Sequence, residues 1–462
     1  MPTINFGPWV PDQPSFGNTC IIAQNVYPVR GGYEPFSGIN AVSDALVAAP
    51  LGCISFRRTT GARETFVGTL ANLYRLNGTT WTDVTNAGGF SNATFWRFAI
   101  YGERLIATNG IDNPQAFDLA SDSVFADLPN APIHRYPIVI RDTLVAVDVQ
   151  DGSGKQVKWT AVNDSEDWTA TSGGGEQSFP DGGPIVGGTG GEFGVILQDS
   201  GLTRMTFVGG DLRFTFDKIE GSIGCSDANS IVAYKGITFY LSEEGFQSLD
   251  GAESVNISDE QISDAFFNEF GADRVTDTNE TRVTSTAETR VINKGDVVRG
   301  ALDTRKSCVT WSYPAAGVNK IIIFNYRLNQ WSEATQEVAC LHASLQTTGP
   351  ILAGFDATHK LSLFNGTALT AVLSTGDLQL FPDRRAGLSS ARGLIDAAHD
   401  ITVTKKGALS DAGSTVVGSS NTNGKCSIRA DARYMRFSLS QTAVFTEITG
   451  IEVEARPSGR AV

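Results

Sequence analysis

Between Leu51 and Ala371 the chain repeats one pattern about every 35–45 residues: short β-type segments separated by glycine-bearing turns. Leu73-Tyr74-Arg75-Leu76 faces Trp81 across Asn77-Gly78, and Leu105-Ile106-Ala107 faces Ala116-Phe117-Asp118-Leu119 across Asn113-Pro114. Phe239-Tyr240-Leu241 faces Gln247-Ser248-Leu249 across Glu244-Gly245, and Leu361-Ser362-Leu363-Phe364 stops at Asn365-Gly366. Such spacing predicts four-stranded units repeated radially, the way a β-propeller protects its strand edges. The units are expected over 51–90, 91–130, 134–178, 183–222, 228–258, 298–335 and 340–371, which gives six or seven blades. Propellers serve many functions, so the repeat alone assigns none.

A chain of 462 residues is too long for one ordinary core unless that core is built by repetition. Its 49 glycines, 19% charged and 41% hydrophobic residues suit a turn-rich all-β protein. No apolar run approaches the ~18–20 residues that span a bilayer, so no membrane span is expected. Met1-Pro2-Thr3-Ile4-Asn5-Phe6-Gly7-Pro8 lacks a basic region followed by an apolar stretch, so synthesis in a cytoplasm without a secretory signal is expected. Cys20, Cys53, Cys225, Cys308, Cys340 and Cys426 form no C-x-x-C pair and read as buried, reduced thiols.

Three regions follow from the texture of the chain. Residues 1–50 read as an extended arm, because Pro2, Pro8, Pro11, Pro14, Pro28 and Pro35 forbid a long helix. The arm carries Trp9, Phe16, Tyr27, Tyr33 and Phe36, which are expected to pack on its own propeller or on a neighbouring subunit. It could also donate a closing strand to the last blade. Deleting residues 1–36 is expected to weaken assembly more than it unfolds the body.

Residues 51–375 form the propeller body, with a helix and an insertion at 258–297. Ser258 and Gln261 make a capping box ahead of Ile262, Ala265, Phe266 and Phe270, with Gly271 as a stop, so a helix is expected near 259–270. The polar stretch from Ala272 to Lys294 reads as a loop or long hairpin. Residues 376–462 read as a small β-sheet or sandwich, from the alternation in Ile401–Thr404, Arg433–Phe437 and Ile451–Glu454.

The formal charge of −14 is unevenly placed. From Gly376 onward there are 11 Lys and Arg against 9 Asp and Glu; subtracting these from totals of 36 and 50 leaves 25 against 41 before it. An acidic body disfavours a general grip on nucleic acid, which needs basic grooves.

Catalytic patterns are absent from the sequence. His134, His342, His359 and His399 form no ligand motif and read as structural or surface residues, and there is no G-x-S-x-G elbow or P-loop. The run Gly187-Gly188-Thr189-Gly190-Gly191 reads as a flexible turn or bulge, because Phe193 stands where a third phosphate-cradling glycine belongs. Asn163-Asp164-Ser165-Glu166-Asp167-Trp168 carries oxygen ligands but lacks the glycine and distal glutamate of a calcium loop, and reads as an Asx-stabilised turn. No enzyme activity, metal or cofactor is expected. A propeller glycosidase would need two carboxylates converging at the central opening.

The segments Phe6-Gly7-Pro8-Trp9-Val10-Pro11-Asp12-Gln13-Pro14, Ala23-Gln24-Asn25-Val26-Tyr27-Pro28 and Gly31-Gly32-Tyr33-Glu34-Pro35-Phe36 resemble the start of tail nozzle (hub, or stabilisation) proteins of short-tailed bacteriophages. Asn163–Trp168, Thr206-Phe207-Val208-Gly209-Gly210 and Tyr240-Leu241-Ser242-Glu243-Glu244-Gly245-Phe246 resemble later segments of the same proteins. The resemblance covers most of residues 1–335. It implies a non-enzymatic virion protein of the tail. Such a protein forms a hexameric ring that extends the channel below the portal and adaptor, retains packaged DNA and lets it exit. The partners it implies are further copies of the chain, the adaptor, and tail fibre, spike or needle proteins, with DNA passing transiently. Candidate interface residues are Trp9, Asp12, Tyr27, Tyr33, Phe36, Arg384 and Arg385, and the acidic part of the chain is expected to line the ring's channel. The alternatives are a carbohydrate- or receptor-binding propeller, marked by exposed aromatics between blades, and a component of another phage tail type.

Overall fold

The computed structural model describes residues 2–17, 19–90, 93–210, 212–219, 223–272, 282–283, 289–290, 297–315, 318–442 and 444–459. Among these the chain is all-β apart from the α-helix Ser263–Ala272 and two short 3-10 turns. Of the polar insertion only the pairing of Arg282–Val283 with Thr289–Arg290 is described; the rest of 273–296 lies outside the described residues.

Seven antiparallel four-stranded units follow one another, at 52–83, 97–127, 134–178, 185–219, 232–256, 299–334 and 339–363. In the first six, consecutive strands pair, so each pairing closes only a short loop and the entropy lost is small. The segments matched in the sequence pair as hairpins: Leu76 faces Trp81, Ile106 faces Ala116 and Tyr240 faces Gln247. The last unit supplies only three strands of its own. Its fourth is Asn40–Ala45, antiparallel to Lys360–Leu363, so the arm does donate a closing strand.

First strands lie beside one another in two runs, from the first unit to the fourth and from the fifth through the seventh back to the first. Gly52–Arg57 meets Arg97–Tyr101, which meets His134–Ile140, which meets Ile185–Thr189. Val232–Tyr234 meets Arg299–Asp303, then Ala339–Gln346, and that strand returns to Gly52–Arg57. The glycine-rich run is one of these strands, bulged between Ile185 and Gly187, and not a flexible turn. Close packing explains its composition. A Cβ at Gly190 would overlap the Val139 carbonyl, and one at Gly187 would overlap the Ile231 side chain.

The C-terminal strands form two facing sheets, and both borrow from residues 1–50. One sheet orders Val26–Val29, Gly32–Pro35, Ile448–Ser458, Arg385–Ile395 and Lys425–Ala432, with Thr3–Asn5 also on Ile448–Ser458. The other continues the sixth unit: Cys20–Gln24 inserts between Gln330–Ala334 and Ala371–Thr375, followed by Tyr434–Gln441, Asp400–Lys406 and Ser414–Ser419. Alternating Leu388, Ile428, Ile451 and Val453 from the first sheet meet Ile401, Val403, Phe437 and Leu439 from the second in one core. The sandwich is therefore not made by residues 376–462 alone.

The helix begins at Ser263, later than the capping-box reading placed it. Ser258 is turned to another use: its Oγ accepts the Phe246 N–H at 2.8 Å. The cap comes from the arm, where the Asp12 carboxylate accepts the N–H groups of Asp264 at 2.9 Å and Ala265 at 2.8 Å. A carboxylate there satisfies orphan donors and complements the helix dipole. Phe266 and Phe270 then close over Tyr313, in an aromatic cluster with Phe246, Trp311 and Trp331.

Candidate functional site

The first strands of all seven units converge on two adjoining cavities. One, of about 410 Å³, is bounded by Arg97–Ile100, Tyr136–Val139, Gly187–Gly190 and Ala233. The other, of about 260 Å³, is bounded by Gly52–Ile54, Arg97, Asn229, Arg299–Gly300 and Cys340–His342. Arg97, Phe98, Ala228 and Ile231 belong to both walls.

None of the described residues lining these two cavities bears a carboxylate. A neighbouring cavity of about 490 Å³ includes Asp227 in its wall. That carboxylate accepts the N–H groups of Asn229, Val297 and Val298 at 2.8–2.9 Å, so it is a structural acceptor. The pair of convergent carboxylates that glycoside hydrolysis requires is not found on these walls among the described residues.

The other polar groups of the smaller cavity are held by burial. Cys340 sits at a bulge with φ 47°, its thiol 2.9 Å from the Arg299 guanidinium. Burial pushes that thiol up, against the pull of Arg299 and Arg97. Burial holds the His342 ring down to about 4, neutral, with Nδ1 2.9 Å from the Cys340 carbonyl. His134 and His399 make the same contact to the carbonyl two residues back, Pro132 at 2.8 Å and Ala397 at 2.9 Å. These three histidines are structural. A reactive thiolate would need a lowered pKa, and the described cysteines show the reverse wherever a shift is resolved.

The candidate interface residues divide sharply. Trp9 is buried, its Nε1–H donating to the Ile21 carbonyl at 3.2 Å. Tyr33 is buried and donates to the Gly7 carbonyl at 2.8 Å, while Tyr27 is buried and donates to Asp303 at 3.3 Å. Phe36 is fully buried between Tyr27 and Phe364. Together with Asp12, these residues serve the interior of their own chain. Arg384 and Arg385 are exposed, and Arg385 pairs with Asp431 at 2.5 Å. Phe16 is the exposed aromatic among the described residues, lying edge-on to Tyr434.

Asn163–Trp168 is the side-chain-stabilised turn read from sequence. Asp164 accepts the Glu166 N–H at 2.9 Å, Asp167 accepts the Thr169 N–H at 2.9 Å, and Arg104 reaches Ser165 and Glu166 at 2.9 and 2.7 Å. Among the described residues no group of three His, Cys, Asp or Glu could hold a metal. Among the described residues no helix is long and apolar enough to cross a membrane.

No family model matches the chain, and no curated protein matches it. Solved structures similar in part include the extracellular domain of a hybrid two-component system from B. thetaiotaomicron. It is 10% identical over 78% of this chain and 42% of that one, with a TM-score of 0.43. A computationally designed protein, Ika8, is 11% identical over 71% of this chain and 99% of its own, with a TM-score of 0.37.

Proposed function

We propose that the chain is a structural component of the virion, the tail nozzle or hub protein of a short-tailed bacteriophage. In this reading the seven units are the blades of a β-propeller, and copies of the chain assemble into a hexameric ring. The ring extends the portal–adaptor channel, retains packaged DNA and releases it on ejection. Its other partners are the adaptor and the tail fibre, spike or needle proteins.

The observation that carries the reading is the placement of the N-terminal segments that bear the resemblance. Phe6–Pro14, Ala23–Pro28 and Gly31–Phe36 supply the helix cap, strands and buried aromatics that join the repeats to the sandwich. The convergence of seven first strands on adjoining cavities supports the propeller. Among the described residues, the absence of carboxylates from the walls of the two central cavities and the presence of one exposed aromatic, Phe16, give a glycosidase or a lectin little to work with.

Particle imaging of the purified protein tests the proposal. Sixfold rings with an axial opening wide enough for duplex DNA are expected. Discrete monomers at every concentration would overturn it.

A further inference from the structure

The outward side of one sandwich sheet carries a concentration of arginine that the fold does not use. Along Lys425–Ala432 strict alternation buries Cys426, Ile428, Ala430 and Ala432 and turns Lys425, Ser427, Arg429 and Asp431 outward. On the next strand Arg385, Ser389 and Arg392 are exposed, and on the third Arg456 is exposed. The register places Arg392 between Lys425 and Glu452, and Gly387 between Asp431 and Arg456. The face thus holds five cations against Asp431, Glu452 and Glu454, with small Gly387 and Ser389 along its middle.

Two of the cations are engaged, Arg385 with Asp431 at 2.5 Å and Lys425 with Glu454 at 3.2 Å. Arg392, Arg429 and Arg456 form no ion pair among the described residues. Their charge is presented to solvent in a row, on a rigid three-stranded platform.

Elsewhere in the same chain acidic residues are in excess. Residues 97–178, the second and third units, hold 12 Asp and Glu against 6 Lys and Arg. Asp122, Asp142 and Asp164 are exposed there without an ion pair among the described residues. Asp142 and Asp164 flank Tyr101, whose hydroxyl donates to the Asp142 carbonyl at 3.0 Å.

We propose that the arginine face of the sandwich docks on the acidic flank of residues 97–178 in a second copy of this chain. The two faces differ, so the contact is heterologous and propagates head to tail, the geometry that closes into a ring. Opposite potentials steer encounter and suppress face-to-face pairing of like surfaces. Exposed charges are screened beyond roughly 8 Å at physiological ionic strength, so the contact weakens with salt. The inference rests on the ring reading and specifies which surfaces meet.

Sedimentation of the full chain at low and high salt tests it. The wild type is expected to associate at low salt and to dissociate as salt rises. Arg392→Glu with Arg429→Glu and Arg456→Glu is expected to associate at least ~100-fold more weakly with an unchanged melting temperature. Asp122→Lys with Asp142→Lys and Asp164→Lys is expected to do the same. Mixing the two triple variants should restore a complex, because each then offers the other a complementary face. Two variants that assemble like the wild type, or a mixture that stays dissociated, overturn the inference while leaving a ring intact. A wild type that is monomeric at every salt concentration overturns the ring reading as well. Binding of duplex DNA to the arginine face of a monomer also overturns the proposed contact.

Discussion

The repeats and the sandwich are both antiparallel β-structure, but they are assembled over different distances in sequence. In the repeats, neighbours pair: Asn77 faces Thr80, and Ser242 faces Gly245. In the sandwich, Ile4 faces Ile451 and Cys20 faces Thr375. Local hairpins need little loop closure, whereas these pairings close loops that span most or nearly all of the chain. The N-terminal residues belong to both regions: they are interior strands of the sandwich and the closing strand of the seventh unit.

Deleting residues 2–36 should have the largest effect. The deletion removes the strands Thr3–Asn5, Cys20–Gln24, Val26–Val29 and Gly32–Pro35 and the buried Trp9, Tyr27, Tyr33 and Phe36. Burying each such ring contributes roughly 1.5–3 kcal/mol, and four approach the ~5–15 kcal/mol that hold a domain folded. Calorimetry should show loss of the sandwich transition, which reverses the expectation that truncation chiefly weakens assembly. A truncated chain that melts like the full one would refute the integration of the arm.

Within the sandwich, Asp377 ties two strands together through charge. Fully buried, it accepts from Lys406 at 2.8 Å and from Arg436 at 3.1 and 3.2 Å, on two adjacent strands. Asp377→Ala leaves both cations facing a void and should cost about 3–5 kcal/mol in urea unfolding. An effect below ~1 kcal/mol would mean that solvent already screens the site.

Acid should act on the repeats. Burial depresses His134 and His342 from 6.5 to about 4, so the unfolded chain takes up protons that the folded chain refuses. Their contribution is present above pH 6.5 and is lost as pH falls toward 4, up to ~3 kcal/mol each. Asp148, raised by burial from 3.8 to about 6, works in the opposite direction and offsets ~3 kcal/mol. For these three groups taken together the expectation is a loss of about 3 kcal/mol between neutral pH and pH 4. Urea midpoints across that range should shift less in His134→Gln with His342→Gln; an unchanged slope contradicts the assignment.

The smallest effect is at the helix cap. Asp12→Ala should destabilise by about 1 kcal/mol and speed amide exchange at Asp264 and Ala265. Unaltered exchange at those two amides would show that the cap is dispensable.

The repeats were legible because turn residues and alternating apolar positions lie next to each other in sequence. Leu73–Trp81 and Val195–Phe216 state their own pairing. The arm was legible only as extended and aromatic. Nothing local to Tyr33 names the strand beside it, because that strand, Ile448–Ser458, lies at the other end of the chain. The capping box failed for the same reason: Ser258 satisfies a local rule, but Asp12, brought in by tertiary structure, occupies the helix end. The two cavities were invisible to motif reading, since their walls are assembled from one short strand of each unit and contain glycine, alanine and isolated arginines.

Amide hydrogen exchange on the intact chain reads whether the first 45 residues are core. The Cys20 amide donates to the Pro8 carbonyl at 2.8 Å and the Asn25 amide to the Glu333 carbonyl at 2.7 Å, deep between the sixth unit and the sandwich. Amides from Cys20 to Val29 should exchange as slowly as those of Ile321–Phe324, through global unfolding. Exchange of that segment within seconds, with Ile321–Phe324 still protected, would contradict the claim and make the arm a peripheral strap.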